Sequence, residues 1–148
     1  LHVAKTEIHA AHDYQHLYVA FRAHTASERA GEWVAVELAN MAANERWRFV
    51  VTARGNGAIE RHTREGQFRI EGAAWQFART EDRTGYNVEM KIPLELIGVA
   101  TNTKGQKPIQ LRLNFLRRIN DTARNARYIV RAYPDAGDTK RMAVMTLR

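Results

Sequence analysis

Apolar and polar residues alternate along most of this chain, and the period is two rather than 3.6, which predicts strands rather than helices. Leu17, Val19 and Phe21 oppose Tyr18, Ala20 and Arg22, while Val34, Val36 and Leu38 oppose Trp33, Ala35 and Glu37. Trp47, Phe49 and Val51 oppose Arg46, Arg48, Val50 and Thr52. In the second half, Tyr86, Val88, Met90 and Ile92 oppose Asn87, Glu89 and Lys91, and Leu111, Leu113 and Phe115 oppose Arg112, Asn114 and Leu116. Shorter strands are predicted over 8–12, 68–70, 74–79, 127–132 and 142–147. Gly55-Asn56-Gly57 supplies residues that tolerate positive φ in a hairpin, and Gly72 separates two strands. Pro93 ends a strand, and Pro93 to Gly98 reads as one helical turn closed by glycine. Only 26–29 and 41–46 offer other short helical turns. The pattern predicts an all-β fold, an antiparallel β-sandwich with a jelly-roll or immunoglobulin-like two-sheet architecture, and one domain over residues 1–148.

With the apolar phase turned inward, the opposite phase gathers Arg, amide and carboxylate groups with aromatic rings among them. If the strands at 17–22, 32–38, 46–54, 86–92 and 110–116 share one sheet, their outward side chains pave one surface. Flat rings stack on the C–H face of a pyranose, and forked donors and acceptors take its hydroxyls, so such a surface suits sugar. A solvated sheet face laced with cross-strand ion pairs accounts for the same pattern and stays open. The phases place Trp33 off the core and Trp47 in it, and leave Trp75 undecided.

Composition narrows the classes. The 148 residues can bury roughly two thirds of the unfolded surface without staples. There is no cysteine, which removes disulfide frameworks and thiolate chemistry. No stretch approaches the ~18 apolar residues of a membrane span. The net charge of +7 favours acidic partners, but the arginines are spread through the strands rather than run together in a tail.

Several stretches resemble family 9-type carbohydrate-binding modules, a β-sandwich group with sugar- and haem-binding relatives. His12-Asp-Tyr-Gln-His-Leu-Tyr-Val-Ala-Phe21 is similar to that family's opening turn and strand. Gly85-Tyr-Asn-Val-Glu-Met-Lys-Ile-Pro-Leu94, with Leu96 and Gly98, is similar to its Gly-Tyr-x-x-Glu-x-x-Ile-Pro strand and turn. Leu111 to Arg117 and the closing Tyr133 to Leu147 complete a likeness that runs from about residue 6 to 147. The resemblance implies non-catalytic binding of a polysaccharide or oligosaccharide by an accessory domain attached to a catalytic domain, in an extracellular or periplasmic protein. Because guanidinium pairs bidentately with carboxylate or sulfate, the arginines point to acidic polysaccharide. Phase and resemblance together nominate Trp33, Arg48, Arg54, Glu89, Arg112, Asn114 and Arg117 as sugar-binding residues. Glu89, flanked by Arg112 or Asn114, has a purely structural reading as well.

No cofactor is expected; a structural calcium, which the family holds, stays open, with Asp135 and Asp138 as oxygen donors. Where the family has an Asp after the first long strand this chain has His24 and Thr25, and only Glu32 precedes Trp33. No metalloprotease motif, phosphate-cradling loop or serine elbow is present, and Ser27 is the only serine. Glu37 and Glu89 are not paired as glycosidase carboxylates by anything in the sequence. The six histidines read as scattered surface groups. Two further readings stand beside sugar binding: a domain that only packs against a catalytic neighbour, and a haem binder with Met41, Met90, Met142 or a histidine as axial ligand. Nucleic acid is not expected as a partner.

Overall fold

The computed structural model describes residues 5–13, 15–25, 30–40, 45–99, 109–121, 126–132 and 143–147. They form eleven strands: β1 (Thr6–His12), β2 (His16–His24), β3 (Trp33–Asn40), β4 (Glu45–Thr52), β5 (Gly57–Thr63), β6 (Gly66–Ile70), β7 (Gln76–Asp82), β8 (Gly85–Pro93), β9 (Ile109–Asp121), β10 (Ala126–Arg131) and β11 (Ala143–Leu147). A single 3-10 turn, Leu94–Ile97, follows β8 and ends at Gly98, whose φ of 74° is the left-handed cap that the Pro-to-Gly spacing predicts. The predicted turn at 26–29 lies outside the described residues, and 45 and 46 of the other belong to β4.

The strands sort into two antiparallel sheets, and the fold is the predicted all-β sandwich. One has four strands in the order β1-β2-β8-β7, the other six in the order β10-β9-β3-β4-β5-β6 with β11 as a seventh. The 13 residues of β9 carry both extra partners on one edge, β11 against Ile109 to Leu113 and β10 against Leu116 to Asp121. The other edge of β9 pairs with β3.

The inward phases meet as read. Leu17, Val19, Phe21, Tyr86, Val88 and Ile92 of the smaller sheet pack on Val34, Val36, Leu38, Phe49, Val51 and Leu113 of the larger one, each buried to within 2%. Phe21 meets Phe115 edge to face across the gap, ring centroids 6.2 Å apart. Trp47 is in the core, and Trp75 sits at its margin against Phe49 and Phe77. The β4–β5 hairpin turns through residues 53–56, with Gly55 at φ 93° and Thr52 Oγ1 accepting from the Asn56 amide. Gly57 belongs to β5, where a Cβ would stand 2.3 Å from the Phe77 ring, so close approach rather than φ selects glycine there.

One expectation is overturned. The strands at 17–22 and 86–92 belong to the four-stranded sheet, whereas those at 32–38, 46–54 and 110–116 belong to the seven-stranded one. Their outward faces lie on opposite sides of the sandwich, so these strands do not pave a single surface. Alternation fixes which way a residue points within its strand. It does not fix which sheet the strand joins.

Candidate functional site

On the outer face of the larger sheet, registers bring Asn114, Glu37, Arg48 and Glu60 into one row across β9, β3, β4 and β5. Arg112, Ala39, Arg46 and His62 form the next row. Trp33 lies between Thr52 and Arg118 toward the other end. At the centre stands Glu37, only 2% exposed although it faces outward. Arg48 donates to its Oε1 from Nη2 at 2.7 Å and from Nε at 3.2 Å. Arg46 Nη1 stands 3.9 Å from the other oxygen. Arg48 also reaches toward Glu60 Oε2, 3.9 Å away, and its guanidinium lies 5.9 Å from the Trp33 ring centroid.

The carboxylate thus orients Arg48, which stands near the indole. Beside them Ala35, Ala39, Asn114 and Leu116 are buried although they share the outward phase. Asn114 Oδ1 accepts from the Phe115 amide. These side chains are covered, and the accessible part of the face is the partly exposed Trp33 indole with the guanidinium groups of Arg46, Arg48, Arg112 and Arg118. Arg46, Arg48, Arg112 and Arg118 outnumber Glu37 and Glu60, leaving the face cationic.

Four of the seven nominated residues, Trp33, Arg48, Arg112 and Asn114, share this face. The other three do not share it. Arg54 lies at the exposed tip of the β4–β5 turn, because the strand ends at Thr52, two residues earlier than expected. Glu89 lies on the opposite sheet, in register with Ala20 and Ala78, so neither Arg112 nor Asn114 flanks it. Arg117 points inward. It is 2% exposed, pairs with Glu32 Oε1 at 3.0 Å, and donates to Thr6 Oγ1 and the His24 carbonyl of the other sheet. It continues the phase of Leu111, Leu113 and Phe115, where the sandwich opens at its end and an ion pair replaces an apolar contact. A residue count from Leu111 would have shown that phase.

Glu32, the acid before Trp33, is therefore neutralised by arginine. Among the described residues no group of three His, Asp or Glu side chains is placed to hold a metal ion. Asp135, Asp138, Met41 and Met142 lie outside the described residues, and Met90 is in the core cluster. Among the described residues no helix is long and apolar enough to cross a membrane.

The smaller sheet presents Tyr18, Arg22, Asn87, Glu89 and Lys91 outward. Arg22 is tied to Asp82 at 3.0 Å. That guanidinium, with the Thr84 amide and hydroxyl, holds the Asp82 carboxyl well below the usual range. At the β1–β2 turn Asp13 Oδ1 accepts from the amides of Gln15 and His16, each at 2.7 Å, and Oδ2 from the Tyr18 hydroxyl at 2.8 Å. These bonds, the Gln15 amide foremost, lower the Asp13 pKa to about 2, and the same carboxylate raises that of Tyr18.

No protein-family model and no curated protein matches the chain. Solved structures do. A Bacteroides uniformis ATCC 8492 protein to which carbohydrate binding is ascribed matches with a TM-score of 0.75 at 11% identity, over 97% of this chain and 78% of that one. A family 9 carbohydrate-binding module from Caldicellulosiruptor kristjanssonii, in complex with cellotriose, matches at 0.61 and 12%, over 97% and 74%. A second structure of such a module from the same organism, in complex with glucose, matches at 0.62 and 11%, over 97% and 76%. The chain has the fold of these modules, as the sequence resemblance implies.

Proposed function

We propose that this domain binds carbohydrate without transforming it, through the outer face of its seven-stranded sheet, and that it prefers acidic glycans. The observation that carries the reading is the Trp33–Arg48–Glu37 arrangement: an indole beside a guanidinium that a buried carboxylate holds in place. A sugar ring stacks on the indole, and the arginine forks take its hydroxyls or its carboxylate. Groups already fixed by their neighbours lose little freedom when the ligand arrives. The surplus of arginine over carboxylate on this face favours a uronate or sulfated unit over a neutral one. Sugars bound in two structures of family 9 modules with the same fold support the general reading. The site reads as an accessory to a polysaccharide-acting enzyme outside the cell membrane.

Affinity electrophoresis through gels cast with a polyuronate, a sulfated glycan and a neutral glucan tests this. Retardation by the acidic polymers that weakens with salt, and that Trp33→Ala reduces at least about tenfold, is the expected result. Equal mobility in every gel, or retardation by the acidic polymers that Trp33→Ala leaves unchanged, rejects the reading. Coverage of this face by a neighbouring domain in an intact parent protein would instead favour a packing role.

A further inference from the structure

The four-stranded sheet carries a surface that the proposed acidic-glycan face does not use. His9, Ala20, Glu89 and Ala78 are lateral neighbours across β1, β2, β8 and β7. Tyr18 and Lys91 stand in the adjoining row. The two alanines leave the floor low and open a trough of about 670 Å³, within the size range of ordinary small-ligand sites.

Its walls have definite chemistry. Tyr18 is 37% exposed, yet its hydroxyl is pinned to Asp13, which two backbone amides fix in turn. The ring is therefore a held plate rather than a swinging side chain. Lys91 Nζ lies 5.9 Å from the centroid of that ring. Glu89 rises from the middle of the floor, exposed, and makes no hydrogen bond or ion pair with the described residues.

We propose that this trough is a second carbohydrate site, back to back with the first, and that it takes a neutral pyranose. Tyr18 receives the C–H face of the ring, Glu89 accepts hydroxyl protons, and Lys91 donates to hydroxyl oxygens. An apolar partner would strand the Glu89 charge away from water. A carboxylated sugar would meet Glu89, and an amine would meet Lys91, so the pair selects a ligand that is uncharged and rich in both donors and acceptors. Two faces of different charge on one chain let a single domain hold a neutral and an acidic glycan at once. The carbohydrate class rests on the reading above, while the site itself does not.

Amide chemical-shift mapping of the whole chain with glucose, cellotriose and an oligouronate tests the inference. Neutral sugars are expected to shift the amides of Ala20, Ala78 and Glu89, in Trp33→Ala as in the native protein. Glu89→Gln weakens that binding about tenfold, as loss of a charge-assisted hydrogen bond does, and Ala78→Trp, which fills the trough, abolishes it. Neutral sugars that leave these amides unmoved overturn the second site, even where the oligouronate shifts Ala35, Glu37 and Asn114 and so upholds the first. Trough shifts that persist in Ala78→Trp overturn it equally. If the trough responds and the Trp33 face answers to no glycan, the proposed function falls and the second site stands.

Discussion

Glu37 and Glu89 occupy equivalent places in the two sheets: each is an outward carboxylate on an inner strand, with a paired neighbour on either side. Glu37 has Arg48 and Asn114 as lateral neighbours and is 2% exposed, ion-paired and covered. Glu89 has Ala20 and Ala78 and remains exposed and unpaired among the described residues. The environment of an outward residue is thus set by its cross-strand partners more than by its own strand. A long guanidinium side chain lies against the acid on one face, and alanines flank the exposed acid on the other. One sheet presents a preorganised cationic surface, the other a trough with a free acid.

The contrast requires two sheets fastened back to back, and Arg117 is one of the fastenings. Arg117→Ala removes the guanidinium that pairs with Glu32, which is 1% exposed. A loss of about 3–5 kcal/mol in unfolding free energy is expected by urea titration. A change below 1 kcal/mol would mean that the pair does not hold the end of the sandwich.

A pair of substitutions sharpens the comparison directly. Arg48→Ala removes the main partner of buried Glu37 and should cost about 1–3 kcal/mol. Glu89→Ala, at an exposed and unpaired site, should stay within about 0.5 kcal/mol. Equal losses in the two variants would show that the two acids sit in like environments.

Binding separates the faces next. Trp33→Ala should lower affinity for an oligouronate about tenfold or more in calorimetry. Tyr18→Ala should leave that affinity unchanged, because its ring lies on the other side of the sandwich.

The smallest effect is the acid response of the smaller sheet. The folded pKa of Asp13 is lowered to about 2, below the ~3.9 of an unfolded aspartate. Its contribution is therefore complete above about pH 4 and is lost as pH falls toward 2. Asp13→Asn should flatten the fall in Tm over that window and leave glycan binding at the Trp33 face untouched. An identical acid limb in the variant would show that Asp13 is not its source.

The residues differ in how much of their role the sequence exposed. Trp33 was legible, since its phase against Val34 and Val36 turned it outward. Trp47 was legible in the same way as a core residue. Arg117 carried a legible phase that its charge obscured, because an arginine between strands reads as a surface group until a buried Glu32 is found beside it. Arg54 failed on a strand boundary, where two residues separate a sheet face from a turn. Glu89 had a legible outward phase, but its sheet and its neighbours Ala20 and Ala78 were not legible. The trough as a shape was not legible, since Ala20 and Ala78 are separated by 58 positions and mark nothing until β8 lies between them.

What the sequence by itself determined is local: a period of two, the turns that interrupt it, and hence which side chains face inward. That follows from the pleat, which each strand carries independent of its neighbours. Which strands became neighbours was decided only in the tertiary structure, because pairing joins segments far apart in the chain through backbone bonds that any residue but proline can make. The chemistry of both faces is a product of those neighbours.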